Sequence, residues 1–285
     1  MSVATDLTGR TFLVTGTTSG IGRPTVEALV ARGASVVVAN RNDERTRAQL
    51  EALRQRFPRA DVAAIHLDLS ELASVKRAAE EYLASGRTLD VLVNNAGVAA
   101  GPGMTKDGFE LTIGTNHLGP FLLTKMLLPR LRASSQGRIV NVASEAHRRI
   151  DKIDFDAWRE PSRGARHRLV LYGVSKLMNV LHAKELARRL ADTPATTYSL
   201  HPGVVATDIW RHGPGLLVKL GKLFMISEEE GAKTTLHCAT APELARETGR
   251  YYDKSKPKKS NPLADDVALA QKLWERSEQA IAPYV

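Results

Sequence analysis

The fold that this sequence predicts is α/β: a doubly wound parallel sheet of about seven strands in a single domain, with helices on both faces. Three observations predict it. Short β-branched runs alternate with longer segments of period-3.6 patterning, which implies βαβ crossovers. The runs 12–14, 36–38 and 91–93 are continuously apolar, as strands covered on both faces are. Residues with unusual chemistry cluster just after the strands, on the edge where such sheets bind ligands.

In chain order, the predicted strands are 11–15, 35–39, 62–67, 91–94, 138–142 and 195–200, with a shorter one near 250–252. Helical patterning covers segments that include 26–31, 118–131 and 176–190. Gly33 follows the first helix in C-cap position, and Pro24 falls in its first turn, where a missing N–H costs little. No repeat, linker or low-complexity stretch divides the 285 residues, and open α/β sheets of this length are often one domain.

Apolar residues make up 43% and charged residues 25% of the chain, both ordinary for a globular protein. Lys and Arg number 40 against 31 acids, giving a formal charge of +9. This charge is dispersed except at 254–259, which reads as a solvated surface loop. With no recognition motif beside it, no nucleic-acid partner is expected. A phosphate-bearing cofactor accounts more simply for local basic residues. The lone cysteine, Cys238, excludes an intrachain disulfide and reads as a small core residue, which fits a reducing compartment. No signal segment opens the sequence and no run of about 18 apolar residues occurs, so a soluble cytoplasmic protein without integral membrane association is expected. His147, His167, His201 and His212 do not form a metal-ligand spacing, and no metal is expected.

The first strand leads into Thr15-Gly16-Thr17-Thr18-Ser19-Gly20-Ile21-Gly22 and then a helix. Such glycines allow a tight turn, close approach of backbone to a pyrophosphate, and close packing of helix on strand, as in Rossmann-type folds. The pyrophosphate then meets the free N–H groups and positive dipole end of a helix. The second strand ends at Asn40 and Arg41. An acid here would hold the ribose 2′-hydroxyl of NAD, whereas a guanidinium suits a 2′-phosphate. NADP(H) is therefore the expected cofactor, with NAD(H) a second choice; the plainer alternative for Arg41 is a solvated loop charge.

Val93-Asn94-Asn95-Ala96-Gly97 closes the fourth strand, where small residues let an adenine or ribose lie near the backbone and Asn95 can satisfy main-chain groups. Ser144 follows the fifth strand. Tyr172 and Lys176, four apart, share a helix face in a segment that Tyr172 opens. A phenol is a poor proton carrier near neutrality, and a nearby ammonium lowers its pKa.

In this order the chain resembles the short-chain dehydrogenase/reductase family, from about residue 11 to 262, through 15–22, 94–97, Asn116, Ser144, Tyr172, Lys176 and Pro202-Gly203. Asn116-His117-Leu118-Gly119, 201–205 with Thr207-Asp208, and 254–262 with Leu273-Trp274 resemble its retinol dehydrogenase branch, which typically uses NADP(H). The resemblance implies hydride transfer between the nicotinamide and an alcohol, aldehyde or ketone. Tyr172 would be the acid/base, Ser144 would hold the substrate oxygen, and Lys176 would bind the ribose and lower the Tyr172 pKa. Asn116, in the preceding helix, would support a proton-relaying water. Pro202, Gly203, Val205 and Thr207 would position the nicotinamide amide, and Asp68 with Leu69 would lie at the adenine. A homodimer or homotetramer through 118–131 and 176–190 is also implied, although both patterns suit packing within one chain.

Two departures stand out. Residues 145–171, rich in Arg and His, separate Ser144 from Tyr172 further than in the shortest members, and with no hydrophobic stretch read before residue 11, the membrane anchor of many retinol dehydrogenase-like members is not expected to carry over. Residues 210–226 are apolar and punctuated by Gly213, Gly215 and Gly221. A lid around 206–230 over a hydrophobic substrate, a packed surface helix and a subunit contact all fit this pattern. A nucleotide-binding sensor without turnover is the alternative to an enzyme; the four-residue set favours chemistry, since a sensor needs no proton donor.

Overall fold

The computed structural model describes residues 6–99, 101–204 and 226–285. Its sheet contains β1 (Thr11–Thr15), β2 (Ser35–Asn40), β3 (Val62–His66), β4 (Val91–Asn94), β5 (Arg138–Val142), β6 (Thr196–His201), β7 (Arg250–Asp253) and β8 (Lys256–Pro257). The order is β3-β2-β1-β4-β5-β6-β7-β8, parallel throughout except for the β7–β8 pair. The predicted doubly wound sheet is therefore present, with one strand beyond the expected seven. That extra strand lies in the basic stretch read from sequence as a loop. Lys254 and Ser255 adopt positive φ at a tight hairpin turn, and Lys258 binds Asp253 at 2.7 Å.

Strand parity divides the core between two faces. Leu13, Val37, Leu92 and Ile139 join α3 (Leu72–Ala84), α5 (Gly119–Ala133), α6 (Gly164–Arg189) and α8 (Val267–Ile281). Phe12, Val36, Val91 and Val140 join α1 (Gly22–Val30), α2 (Asp43–Arg56) and α7 (Glu228–Thr240). Cys238 is fully buried in the second cluster, as a core residue should be. Burying apolar surface on both faces of a sheet supplies most of the driving force for such folds, at about 25 cal/mol per Å² removed from water.

Two elements differ from the sequence reading. Helix α6 begins at Gly164, so Tyr172 lies inside a helix that it does not open. The helix holding Asn116 is interrupted: α4 (Leu111–Ile113) passes through a π-helical turn, Gly114–Leu118, before α5 continues. Such turns shift side-chain direction within a helix and recur at functional sites.

Candidate active site

At the carboxyl edge of the sheet, the strand order reverses between β1 and β4, and the loops after these two strands are fastened together. Asn95 Nδ2 donates to the carbonyls of Thr15 and Gly16, both at 2.8 Å. The Asn95 and Ala96 N–H groups donate to Thr15 Oγ1 at 3.0 and 2.9 Å. Gly16 has φ +68°, and a Cβ there would lie 2.7 Å from Ala96 Cβ. At Gly22 a Cβ would lie 2.2 Å from the Gly16 carbonyl oxygen. Both contacts are closer than van der Waals radii permit, so the two loops leave no room for side chains.

A second brace holds the other side of the glycine turn. Asn40 Oδ1 accepts from the Thr17 N–H at 2.7 Å, and Gln49 Nε2 donates to the Thr17 carbonyl at 2.8 Å. The buried Asn40 side chain is thus engaged with the loop, while Arg41 beside it is exposed. Thr18 is half-buried, Ser19 exposed, and Gly20 and Ile21 buried. Helix α1 starts at Gly22 with neither a side-chain cap nor an acid in its first turn, so its own first turn leaves the positive end of its dipole free for an anion. After β3, the half-buried Asp68 accepts from the Ser70 N–H and hydroxyl at 2.9 and 2.6 Å, and Leu69 is buried against Gly119.

The four residues singled out for chemistry come from three places, Asn116 from the π-helical turn, Ser144 from the loop after β5, and Tyr172 with Lys176 from α6, and form a run of contacts that starts at Gly97. Asn116, on the π-helical turn, accepts from the Val98 N–H at 2.8 Å and donates to the Val98 carbonyl at 2.9 Å. Its amide also reaches Ser175 Oγ at 3.1 Å, whose hydroxyl donates to the Tyr172 carbonyl at 2.8 Å. A Cβ on Gly97 would stand 3.0 Å from Asn116 Oδ1 and 3.4 Å from Lys176 Nζ, which locates both side chains against that glycine. Lys176 Nζ donates to the Val142 carbonyl at 3.0 Å, at the end of β5, and stands 5.6 Å from the centre of the Tyr172 ring. Ser144, two residues further on, is hydrogen-bonded to the Tyr172 side chain.

Burial governs the electrostatics. Loss of hydration pushes the Lys176 ammonium down to about 8. The same cause pushes Tyr172 up, opposed by its hydrogen bond with Ser144. The sequence leads one to expect a Tyr172 pKa lowered by Lys176. In the structure desolvation is the largest influence on Tyr172, which is 6% exposed, and the Lys176 ammonium is bonded to the Val142 carbonyl.

On the far side of the centre, Pro202 and Gly203 follow β6 and are half-buried. The Ile226 N–H donates to the Val204 carbonyl at 2.9 Å. Val205, Thr207 and most of the expected lid around 206–230 lie outside the described residues. Sequence reasoning overlooked Thr15, Thr17, Gln49 and Ser175, which hold the loops and Asn116 in place. Their signal is faint, since a hydroxyl beside a glycine motif or between Tyr172 and Lys176 is unremarkable until the chain is folded. Among the described residues no group of three or more His, Cys, Asp or Glu side chains is arranged to hold a metal.

The family model described as short chain dehydrogenase matches residues 10–151. Dehydrogenase/reductase SDR family member 13 of Homo sapiens is 42% identical over 96% of this chain and 74% of its own length. Retinol dehydrogenase 12 of Homo sapiens is 41% identical, over 95% of this chain and 86% of its own. This chain belongs to the short-chain dehydrogenase/reductase family. Within that family its sequence is retinol dehydrogenase-like, and it is an oxidoreductase acting on small substrates. A solved structure described as a putative uncharacterized protein from Mycobacterium Paratuberculosis matches this chain with TM-score 0.76 at 33% identity, covering 98% of this chain and 97% of that one.

Proposed function

We propose that the protein is an NADP(H)-dependent oxidoreductase that interconverts a hydrophobic alcohol with the corresponding aldehyde or ketone. The observation that carries this reading is the convergence of Asn116, from the π-helical turn, Ser144, from the loop after β5, and Tyr172 and Lys176, from α6, on one centre next to Gly97. The adjoining features suit a dinucleotide: an uncapped helix start, glycines whose Cβ positions are blocked by backbone, and a buried Asn95 Oδ1 without a hydrogen-bond partner among the described residues. When bound, the nicotinamide supplies or accepts the hydride.

In the reductive direction Tyr172 gives its hydroxyl proton to the substrate oxygen, while Ser144 hydrogen-bonds that oxygen and keeps it in line. Lys176, mostly protonated at neutral pH with a pKa of about 8, stabilises the phenolate left behind and binds the ribose. Asn116 supports the path by which solvent returns the proton. Gly16, Thr18, Ser19, Gly20, Ile21 and Gly22 cradle the pyrophosphate, with Asp68, Leu69, Asn95, Ala96 and Gly97 along the adenosine half. Pro202, Gly203, Val205 and Thr207 hold the nicotinamide amide.

Arg41 meets the 2′-phosphate. Asn40 beside it is neutral and engaged with Thr17, so the end of β2 itself presents no carboxylate to that phosphate. The hydrophobic substrate rests on the apolar composition of 210–226. A reducing compartment, the cytoplasm, suits the lone thiol of Cys238. α5 and α6 are the faces on which a homodimer or homotetramer would form.

The test is consumption of NADPH and of NADH by the purified protein across a panel of apolar aldehydes and ketones. We expect kcat/KM for NADPH to exceed that for NADH by about tenfold or more. A preference for NADH would remove Arg41 from its assigned place, and failure to bind either nucleotide would remove the reading.

A further inference from the structure

The turn that carries Ser144 is held from behind by a fully buried histidine. His147 is 0% exposed and lies in the 3₁₀ turn Glu145–Arg149. Its Nδ1 stands 2.5 Å from the Ser144 carbonyl oxygen, and its Nε2 stands 3.1 Å from the backbone N–H of Asn261. A backbone N–H can only donate, so Nε2 is the acceptor and Nδ1 carries the proton given to Ser144. The two neighbours therefore select one neutral tautomer. A second proton on Nε2 would point at the Asn261 N–H, and burial also drives the imidazole pKa down.

Asn261 completes the clamp. Its Nδ2 donates to the carbonyls of His147 and Ile150, at 2.8 and 2.7 Å, and its Oδ1 accepts from the Leu263 N–H at 2.9 Å. The Tyr251 ring, on β7, packs against the imidazole with centroids 4.8 Å apart. Its hydroxyl donates to Glu145 Oε1 at 2.8 Å, one residue beyond Ser144. Two segments distant in sequence, at Tyr251 and Asn261, thus brace the turn through which His147 holds the Ser144 carbonyl.

We propose that His147, locked in one tautomer by Asn261, is a positioning residue that sets Ser144 against Tyr172. This rests on the role given to Ser144 above, and it goes further by placing part of the enzyme's chemistry under the control of the segment after β8. His147 touches neither substrate nor cofactor. Its influence passes through the Ser144 carbonyl to the direction of the Ser144 hydroxyl, whose oxygen also accepts from the Ala146 N–H at 3.3 Å.

The test compares His147→Ala, His147→Asn and Asn261→Ala, each in the wild-type and Ser144→Ala backgrounds. Steady-state kinetics use NADPH and the best apolar aldehyde of the panel, NADPH affinity is read by fluorescence, and the thermal midpoint is recorded. An asparagine amide nitrogen reaches the place of Nδ1, so His147→Asn retains the donor to Ser144.

We expect His147→Ala to lower kcat about 10- to 100-fold with the NADPH Kd within about threefold of wild type. His147→Asn should recover most of that loss, and Asn261→Ala should lower kcat in the same direction by a smaller factor. In the Ser144→Ala background His147→Ala should cost less than about threefold more, the non-additivity expected of residues acting through one another. Equal losses in both backgrounds, or a lowered thermal midpoint with kcat unchanged, would show a purely structural histidine and overturn the proposal. Should His147→Ala fail to fold, Asn261→Ala and the His147→Asn rescue decide it alone. Unchanged kcat in Ser144→Ala itself would defeat the role of Ser144 and this proposal with it. Impaired Ser144→Ala beside an unimpaired His147→Ala would defeat this proposal only.

Discussion

Gly22 has no room for a methyl group, since its Cβ would sit 2.2 Å from the Gly16 carbonyl and 2.7 Å from the Asn95 amide. Gly22→Ala must therefore part the two loops. We expect it to cost about 1–3 kcal/mol, the usual penalty of overpacking, and to weaken nucleotide binding; denaturant midpoints and NADPH titration check both. Arg41→Ala makes a sharper chemical prediction. Loss of a charge-assisted contact to a 2′-phosphate should raise the KM for NADPH by about 10- to 100-fold and leave that for NADH nearly unchanged. At this scale the sequence is informative wherever a residue's chemistry is unusual for its place, as with Tyr172, Lys176 and the glycines. It is poorer on where a common polar side chain points. Asn40 lies on the same strand face as Val36 and Val38, which turns it toward α1 and α2 and so toward Thr17 and Gln49. The two-residue period of β2 contains that information, but a motif read by residue type alone passes over it.

Elements were legible where their burial is one-sided or complete. β1, β4 and β5 match the bounds expected from their apolar runs, because each is buried along its whole length. The start of α6 was not legible, since residues 164–170 are largely exposed and Leu169 and Val170 are 50% and 46% accessible. Without an apolar stripe, no helical period marks those two turns. The π-helical turn is likewise invisible to periodicity and is fixed by what packs around it. There His117 and His182 stand with ring centroids 6.1 Å apart, and Phe121 and Trp274 lie against His182. His117 Nε2 bonds Ser277 Oγ of α8 at 2.8 Å. Burial pushes His117 down to about 3 and His182 down to about 4. Folded values below the unfolded 6.5 mean that both rings contribute stability above about pH 6.5 and lose it as pH falls toward the folded values. We expect denaturation midpoints to drop steeply between pH 7 and 5, by about 2 kcal/mol per histidine at the lower pH. Stability that stays level over that interval would show these rings to be hydrated.

The whole molecule places its chemistry by topology. Reversal of strand order between β1 and β4 opens a crevice at the carboxyl edge, and the residues of the candidate centre arrive there from β4, β5, the π-helical turn and α6. A general rule for parallel sheets locates such a crevice from sequence, as soon as the alternation of strands and helices is recognised. The clamp behind Ser144 escapes that rule, because it joins positions more than a hundred residues apart in sequence. Nucleotide binding to the folded state alone should stabilise the chain as a unit. NADPH at about a hundredfold above its Kd adds about 2.7 kcal/mol, which should raise the thermal midpoint by about 5–10 °C, with a smaller rise for NADH at equal concentration. The central claim, that Tyr172 carries the proton in a carbonyl reduction assembled at this crevice, is tested most directly by Tyr172→Phe, with turnover and NADPH affinity measured on one preparation. The account predicts a fall in kcat of about 10²- to 10⁴-fold with NADPH affinity retained. Turnover at the wild-type rate in that variant would contradict it.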